Sequence, residues 1–367
     1  MSTHTIADFV QVLNTWAPIA YAEDFDNAGL LTGDLSKPCQ GVIVAHDALE
    51  SVIDQAIGAN ANLVVCFHPI LFSGIKKLTG ATYVERALIK AIRNEIAIYA
   101  LHTALDNHPQ GVNEASAKAL GLQEVRKLIP QKDNLSQLVT YIPEANYAPV
   151  AKALHQAGAG GLGNYSYCHF ATLGTGQFRG NNQSNPVLGK TGETTQVKEI
   201  RLEAVVEKHC QNQVLKALFQ HHPYESVAYE WIPISNTDPS RGMGIIGSLE
   251  HPMDPKELLE HCKKIFQTPV VRHSALGESP IKNVALLGGS GSFAIAAAKA
   301  AGADAYLTAD LKYHNFFEAE NQLLLVDIGH FESERFTQKI IVAHLGEKFP
   351  NFANISEVTS TNPVNYF

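Results

Sequence analysis

Four short polar stretches in this sequence contain histidines or carboxylates, and each directly follows an apolar run. They are Phe67-His68-Pro69, His102-Thr103 with Asp106, Asp310 with His314, and Gly329-His330 with Glu334. Imidazole nitrogens and carboxylate oxygens together bind Zn²⁺, and the same donor set accepts Fe²⁺ or Mn²⁺. The residue types therefore predict a site for one or two divalent metal ions per chain.

Two of these pairs have helical spacing. His330 and Glu334 lie four residues apart at the start of a predicted helix, which places both side chains on one face. Asp310 and His314 share that spacing and would be ligands or would orient a ligand by hydrogen bonding; a capping aspartate beside a surface histidine is the alternative. His102 would be an orienting group or an ordinary buried histidine. Asp310, His314 and His102 are our candidates for proton transfer.

A turn rich in glycine and serine joins a predicted strand directly to a predicted helix after residue 287. Backbone N–H groups of such a turn form an anion cradle. The candidates for binding phosphate there are Gly289, Ser290, Gly291 and Ser292. The spacing Gly289-x-Gly291-x-x-Ala294 also matches a dinucleotide fingerprint, and a tight turn without any ligand explains the same residues.

Strands and helices alternate at both ends of the chain, which is typical of an α/β fold. Predicted strands over 41–45, 62–67 and 96–101 alternate with helices, and the last segment repeats this pattern, with helices over 255–266 and 332–348. Continuous apolar strands between helices indicate mostly parallel sheets buried on both faces. The carboxyl ends of parallel strands meet at one edge of a sheet, so the four polar stretches would converge there.

The middle of the chain has a different order of elements. Strand, helix, strand, strand, helix and strand follow one another between about residues 135 and 233, with a long exposed hairpin over 177–195. This βαββαβ order is the ferredoxin-like arrangement and closes a core of its own. We therefore predict a discontinuous α/β core of two similar lobes, over 1–128 and 243–367, with an inserted α+β domain over 129–242.

Composition limits the classes of function. The chain has 367 residues, of which 45% are hydrophobic and 17% charged, and its formal net charge is -8. The acidic balance disfavours nucleic acid as a partner, and no apolar run reaches the ~18 residues that span a bilayer. The first residues lack a signal-peptide pattern. We expect a cytoplasmic protein with no membrane partner and a small molecule as its ligand.

An ordered set of motifs in the two end segments resembles one known family. The motifs are Asp26-Asn27-x-Gly29-Leu30-Leu31-x-Gly33, His68-Pro69-x-x-Phe72, His102-Thr103-x-x-Asp106 followed by Gly111-Val112-Asn113, Gly288-Gly289-Ser290-Gly291, Thr308-x-Asp310-x-x-x-His314 and Gly329-His330-x-x-x-Glu334. This set resembles the GTP cyclohydrolase 1 type 2 homologue family, also called Nif-three-like proteins. The middle segment, with His222-Pro223-Tyr224-Glu225, looks like the CutA- and PII-like domain of the longer members.

The resemblance implies a toroidal homohexamer, a trimer of dimers, with dinuclear metal sites facing an internal cavity. At the matching positions His68 and Asp106 would hold one metal ion, His330 would belong to the other, and Glu334 would bridge the two. The family's name asserts homology to a cyclohydrolase and no more.

One position departs from the family pattern. The family usually has two consecutive histidines where this chain has Phe67 and His68, and phenylalanine cannot coordinate a metal. His46, at the end of a neighbouring predicted strand, is our candidate for the vacated position. A mononuclear site with His46 merely buried is the alternative.

These observations favour a metal-dependent hydrolase of a nucleotide-like or otherwise phosphorylated small molecule. A bound metal would lower the pKa of water towards ~7 and polarise the attacked group. The alternative from another class is a non-catalytic metal-handling or regulatory protein, in which the inserted domain senses a ligand or contacts a partner. A dinucleotide-dependent oxidoreductase is a third hypothesis, and it rests on the glycine turn alone.

Overall fold

Three β-sheets form within residues 4–358 and 360–367, which the computed structural model describes. In chain order the strands are β1 (Gly29–Thr32), β2 (Val42–Asp47), β3 (Leu63–His68), β4 (Ala97–Ala100), β5 (Gln123–Pro130), β6 (Leu135–Pro143), β7 (Phe170–Arg179), β8 (Thr194–Glu207), β9 (Tyr229–Pro233), β10 (Gly242–Met253), β11 (Arg272–His273), β12 (Ile281–Ser290), β13 (Ala305–Ala309), β14 (Leu324–Asp327) and β15 (Ile355–Glu357).

The α-helices lie mainly between these strands. In chain order they are α1 (Ile6–Trp16), α2 (Glu50–Gly58), α3 (Tyr83–Arg93), α4 (His102–Asp106), α5 (Val112–Leu120), α6 (Tyr147–Gln156), α7 (Gln211–His221), α8 (Pro255–Phe266), α9 (Ile295–Ala300), α10 (His330–Ser333) and α11 (Thr337–Lys348). Short 3₁₀ helices cover Ile19–Tyr21, Glu144–Asn146, Lys208–Cys210, Ser292–Ala294 and Tyr313–Ala319. Among the described residues, no helix is long and apolar enough to cross a membrane.

The chain divides into two compact units. One consists of Met1–Pro130 together with Pro239–Phe367, and the other is Gln131–Asp238. The first unit therefore combines segments from both ends of the chain and holds two of the sheets, whereas the second is continuous in sequence and holds the third.

The first sheet of the large unit has the strand order β1-β4-β3-β2-β15. Strands β4, β3, β2 and β15 run parallel, and β1 is an antiparallel edge strand. The central strands are apolar at nearly every position because helices cover both faces. Side chains such as Val42 and Val44 pack with α1 and α11 on one face, and Ile43 and Ala45 pack with α2 and α3 on the other. This sheet thus takes a strand and a helix from the end of the chain.

The second sheet has the order β11-β14-β13-β12-β10-β5. Its centre, β12, β13 and β14, is parallel, while β5, β10 and β11 pair antiparallel with their neighbours. Helices α5 and α8 pack on one face and α9 on the other. The fold is α/β, and parallel strands form the core of both sheets, as predicted.

The small unit confirms the predicted βαββαβ arrangement. Its strands lie in the order β7-β8-β6-β9 and all pair antiparallel. Apolar side chains of α6 and α7, including Leu154 and Leu218, close a core against β6 and β8. The ferredoxin-like prediction for this segment therefore holds.

Helix α8 shows how local sequence sets an element. The carboxylate of Asp254 accepts a hydrogen bond from the N–H of Lys256 at 2.8 Å, and Pro255 occupies the first turn, where its missing N–H is harmless. Leu258, Cys262 and other apolar residues of one face are buried. The predicted bounds of 255–266 are confirmed.

Candidate metal centre

The carboxyl ends of three parallel strands of the first sheet line a cavity of about 840 Å³ in the large unit. His46 and Asp47 lie at the end of β2, and His68 ends β3 beside Asp47 in the parallel pair. Strand β4 leads to the one-turn helix α4, whose first and last residues, His102 and Asp106, line the same cavity.

The second sheet supplies the opposite part of the site. Ser290 ends β12 and lines the cavity, Asp310 follows β13, and His330 begins α10 after β14. The prediction of one continuous terminal helix over 332–348 is wrong, because α10 ends at Ser333 and α11 begins only at Thr337.

Glu334 lies at the centre of a cluster of imidazoles. Its Oε2 is 3.0 Å from Nε2 of His46, 3.3 Å from Nε2 of His68 and 3.4 Å from Nε2 of His330. His46 and Glu334 are buried, with 2% and 4% of their surface exposed. Ligand atoms of His46, His68 and Glu334 lie within 4.8 Å of one another, so these three side chains could hold one metal ion.

Two further carboxylates orient the imidazoles. Nδ1 of His68 lies 3.0 Å from Oδ1 of Asp47, and Nδ1 of His330 lies 2.7 Å from Oδ2 of Asp310. Each pairing leaves Nε2 directed to the cluster, where the two Nε2 atoms are 3.4 Å apart. Carboxylates paired with the outer nitrogen are the usual partners of metal-binding histidines, since they set the tautomer and the ring orientation.

The electrostatics of the cluster favour positive charge at its centre. Burial alone lowers the pKa of His68, but hydrogen bonds with Asp47 and Glu334 outweigh burial and raise the pKa to about 9. In the same way Asp310 and Glu334 overcome burial and raise the pKa of His330 to about 11. Burial raises the pKa of Glu334, yet hydrogen bonds with the three imidazoles hold it well below its usual range. Without a metal, protons on His68 and His330 balance the buried carboxylate.

Asp106 gives an independent test of whether a cation fits. Its Oδ1 is buried and accepts no hydrogen bond. Burial and the nearby charge of Glu334 hold the pKa of Asp106 well above its usual range. A divalent cation would satisfy this oxygen and would remove the repulsion between the two carboxylates. The donor set of imidazole and carboxylate fits zinc, iron or manganese.

Phe67 lies next to His46 on the neighbouring strand. Phe67 is fully buried, and its ring centre lies 5.5 Å from that of His46. The imidazole of His46 reaches Glu334 from β2, which is the strand next to that of Phe67. The proposed compensation of Phe67 by His46 is therefore compatible with the geometry, and the role of His46 as a ligand stays a prediction.

His102 lines the cavity beside the cluster and pairs with Asp26. Nδ1 of His102 is 2.7 Å from Oδ1 of Asp26, and the N–H and hydroxyl of Thr103 donate to Oδ2 of the same carboxylate. Burial raises the pKa of Asp26, but these hydrogen bonds outweigh it and leave the pKa below its usual value. His102 has a φ of +34°, a strained value for a non-glycine residue. Sequence reasoning quoted Asp26 only within a motif and gave it no role.

The structure does not bring His314 to the cavity lining. The segment after Asp310 forms the 3₁₀ helix Tyr313–Ala319 rather than an α-helix, and His314 is exposed on it. Asp310 has a φ of +56° and pairs with His330 and with the hydroxyl of Ser290 instead. Asp310 and His314 therefore do not pair on one face of a helix, contrary to the prediction.

Side chains of this protein occupy part of the predicted anion cradle at the end of β12. The N–H of Gly288 donates to Oδ1 of Asn113, and the N–H of Gly289 donates to the hydroxyl of Ser333, both at 2.9 Å. Ser292 begins a 3₁₀ helix, and α9 behind it has only six residues. One of the N–H groups expected to meet phosphate, that of Gly289, is thus occupied by a side chain of this protein.

Close packing explains two of the glycines in that turn. A Cβ atom on Gly291 would lie 2.1 Å from the hydroxyl of Thr308 and 2.4 Å from that of Tyr306. Gly289 has a φ of +70°, and a Cβ there would lie 2.5 Å from Oε1 of Glu334. Close packing therefore accounts for both glycines without any bound phosphate.

Comparison with known proteins agrees with the fold. A GTP cyclohydrolase 1 type 2 homolog of Halalkalibacterium halodurans is 39% identical over 323 residues, which are 88% of this chain and 87% of that protein. One of Bacillus subtilis is 38% identical over 363 residues, 97% of each chain. The crystal structure of a Bacillus cereus protein related to NIF3 matches with a TM-score of 0.86 and 33% identity over 100% of both chains.

The family assignment covers almost the whole chain. The family model described as Duf34/NIF3 (NGG1p interacting factor 3) matches residues 4–363, and that span includes both units and every residue of the cluster. This protein belongs to the Duf34/NIF3 family.

Proposed function

We propose that this protein is a metal-dependent hydrolase of a nucleotide-like small molecule. The observation that carries the proposal is Glu334 among three imidazoles, with the unsatisfied Oδ1 of Asp106 in the same cavity. A volume of about 840 Å³ is in the range of small-molecule sites. The name of the relatives, GTP cyclohydrolase 1 type 2 homolog, supports a nucleotide-like substrate.

The cluster would hold one or two divalent ions. His46, His68 and Glu334 would hold one, and Asp106 and His330 would complete the set. A divalent cation held there would act as a Lewis acid that lowers the pKa of water and polarises the attacked group. Asp47 and Asp310 would keep the Nε2 atoms of their histidines directed to the ion.

His102 would transfer protons during the reaction. Because its Nδ1 faces Asp26, the buried aspartate fixes the tautomer and leaves Nε2 to accept or donate a proton in the cavity. Asp310 is a less direct candidate, since its carboxylate is already engaged with Ser290 and His330.

The experiment combines elemental analysis with a turnover assay. Protein purified without added metal should contain zinc, iron or manganese, and the loaded protein should hydrolyse at least one compound of a nucleotide and nucleoside panel. His68→Ala should abolish both metal content and turnover, whereas His273→Ala, at an exposed histidine of β11, should change neither. Loaded protein that exchanges metal readily but hydrolyses nothing in the panel would favour the metal-handling alternative and contradict the proposal.

A further inference from the structure

We propose that the segment 360–366 is a clasp that ties the two halves of the candidate metal centre together. Thr361 and Asn362 are its positioning residues, and residues 361–364 line the cavity. The clasp itself follows from contacts within the large unit, whereas its effect on a bound ion rests on the proposed function. Three contacts carry the inference, one on the side of the first sheet and two on the side of the second.

Thr361 contacts the half of the site that belongs to the first sheet. Its hydroxyl donates to Oδ2 of Asp47 at 2.6 Å, and the residue is 9% exposed. The other oxygen of that carboxylate, Oδ1, lies 3.0 Å from Nδ1 of His68. Just before the clasp, the N–H of Val358 donates to the carbonyl of Val44 on β2 at 3.0 Å. Thr361 therefore fixes the carboxylate that directs His68, and such outer partners hold metal ligands in place.

The next residue contacts the half of the site that belongs to the second sheet. Nδ2 of Asn362 donates to Oε1 of Glu332 at 3.0 Å, and Glu332 is buried, with 7% of its surface exposed. Glu332 lies on α10, two residues after His330 and two before Glu334. The side chain of Asn362 therefore holds the one-turn helix that carries His330 and leads into Glu334.

A third contact lies at the turn before α10. A Cβ atom on Gly329 would lie 2.9 Å from the hydroxyl of Tyr366, so this tyrosine packs against the turn that leads into His330. The consecutive residues Thr361 and Asn362 thus bind partners that belong to different sheets. A movement of one half of the site away from the other would break one of these two hydrogen bonds.

The first test uses the metal-free protein. Hydrogen–deuterium exchange is measured by mass spectrometry in peptides that cover 42–47 and 329–334. Thr361→Val removes a contact with the first sheet, yet we expect faster exchange in 329–334 as well, because a clasp released at one end no longer restrains the other. The increase should be about 2- to 10-fold, the factor for loss of one hydrogen bond. Asn362→Leu should have the reciprocal effect on 42–47.

Two control variants make this test specific. Thr361→Ser keeps the hydroxyl, so exchange should stay as in the wild type. The hydroxyl of Thr140, a fully buried residue of the small unit, donates to the carbonyl of Ala228 at 3.0 Å. Thr140→Val removes this comparable hydrogen bond and should leave both peptides unchanged. If Thr361→Val and Asn362→Leu each change exchange only in the segment that they contact, or in neither, the contacts are independent and the inference is overturned.

The second test measures zinc affinity by competition with a chromogenic chelator. Thr361→Val should lower the affinity by about tenfold, the lower end of the range for groups that orient a metal ligand. Thr361→Ser should retain the affinity of the wild type, because serine supplies the same donor to Asp47. Equal zinc affinity of the wild type and Thr361→Val would overturn the role assigned to Thr361 and with it the inference.

The two tests separate the inference from the proposed function. Coupled exchange of the two peptides in a protein that binds no zinc would retain the clasp and contradict the proposed metal site. Metal binding and turnover in a protein whose two peptides respond independently would do the reverse.

Discussion

In the proposed metal site, His46 is the candidate that replaces the imidazole missing at Phe67. His46→Ala removes the imidazole 3.0 Å from Glu334. Loss of a residue that only hydrogen-bonds to a metal ligand typically lowers metal affinity by about 10- to 100-fold. We expect the loss of His46, as a ligand, to lower it further. Metal content per chain, measured by mass spectrometry after dialysis, checks the prediction.

Two further variants make this test specific. Phe67→His in the His46→Ala background should restore metal content, because it returns an imidazole to the end of β3. His222→Ala, at a buried histidine of the small unit, is the matched control and should retain metal. Equal metal content in the wild type and His46→Ala would show that His46 is merely buried.

In the proposed metal site, protons and metal would compete for the imidazoles of His68 and His330. The pKa of about 9 for His68 lies above the ordinary value of about 6.5. In the metal-free protein its contribution to stability is therefore present below about pH 6.5 and is lost as the pH rises through about 9. Zinc requires the neutral ring, so zinc binding should release protons, and its apparent affinity should rise from about pH 6 to pH 8. Calorimetry in buffers of different ionisation enthalpy measures the release; zinc binding without it would contradict the assigned charge state.

Residue-level reasoning predicted much of this centre and missed part of it. Histidines and carboxylates that follow apolar strands were visible in the sequence, because strand ends place them at one edge. Asp26 was missed as a partner of His102, since it lies in a loop 76 residues earlier and only the folded chain brings them together. His314 was chosen on helical spacing, which fails where the chain forms a 3₁₀ helix.

At the scale of elements, the turn between β12 and α9 depends on close packing. Gly291→Ala should lower the free energy of unfolding by about 1–3 kcal/mol, the usual cost of overpacking, because its Cβ would overlap Thr308 and Tyr306. Gly58→Ala is the control, since a Cβ at this position in α2 meets nothing within 4 Å; it should change stability by less than about 1 kcal/mol and in the stabilising direction. Urea unfolding measures both. An equal effect of the two substitutions would contradict the packing argument.

Elements with strong local signals were predicted well. Helix α8 has a capping aspartate, a proline in its first turn and a regular apolar face, so sequence alone located it. Strand β15 has three residues and exists because it pairs with β2 from the other end of the chain. The break between α10 and α11 was not predicted. Helix α10 ends at Ser333, directly before Glu334, which contacts the imidazoles, and the sequence has no proline or glycine there that would indicate a helix end.

At the scale of the whole molecule, the small unit should be replaceable. Strands β5 and β10 pair so that Pro130 lies opposite Gly242, and the chain therefore leaves and re-enters the large unit at neighbouring points. Replacing residues 131–238 with a short glycine–serine linker should leave the large unit folded, with unchanged metal content. Circular dichroism and elemental analysis check this. Loss of cooperative unfolding in the shortened protein would show that the large unit needs the segment to fold.

The topology was predictable in outline only. Alternating strands and helices at both ends indicated the α/β class, and the order βαββαβ indicated the middle fold. The antiparallel pair of β5 and β10 lay across the predicted domain boundaries of 129 and 242, so neither strand was assigned. Helix α11 and strand β15 come from the last segment of the chain but join the first sheet, whereas α5 comes from the first segment and packs on the second sheet. These contacts are far apart in sequence, and hydrophobic periodicity does not show them.

The late position of β15 and Glu334 in the chain has a consequence for biosynthesis. On the ribosome, β2, β3 and β4 emerge first, and β2 must wait with an open edge until the last segment is made. The carboxylate of Glu334, which lies close to His46, His68 and His330, also emerges late. A nascent chain therefore cannot hold a cation through the completed cluster, and under the proposed function loading with metal is expected to follow translation rather than accompany it.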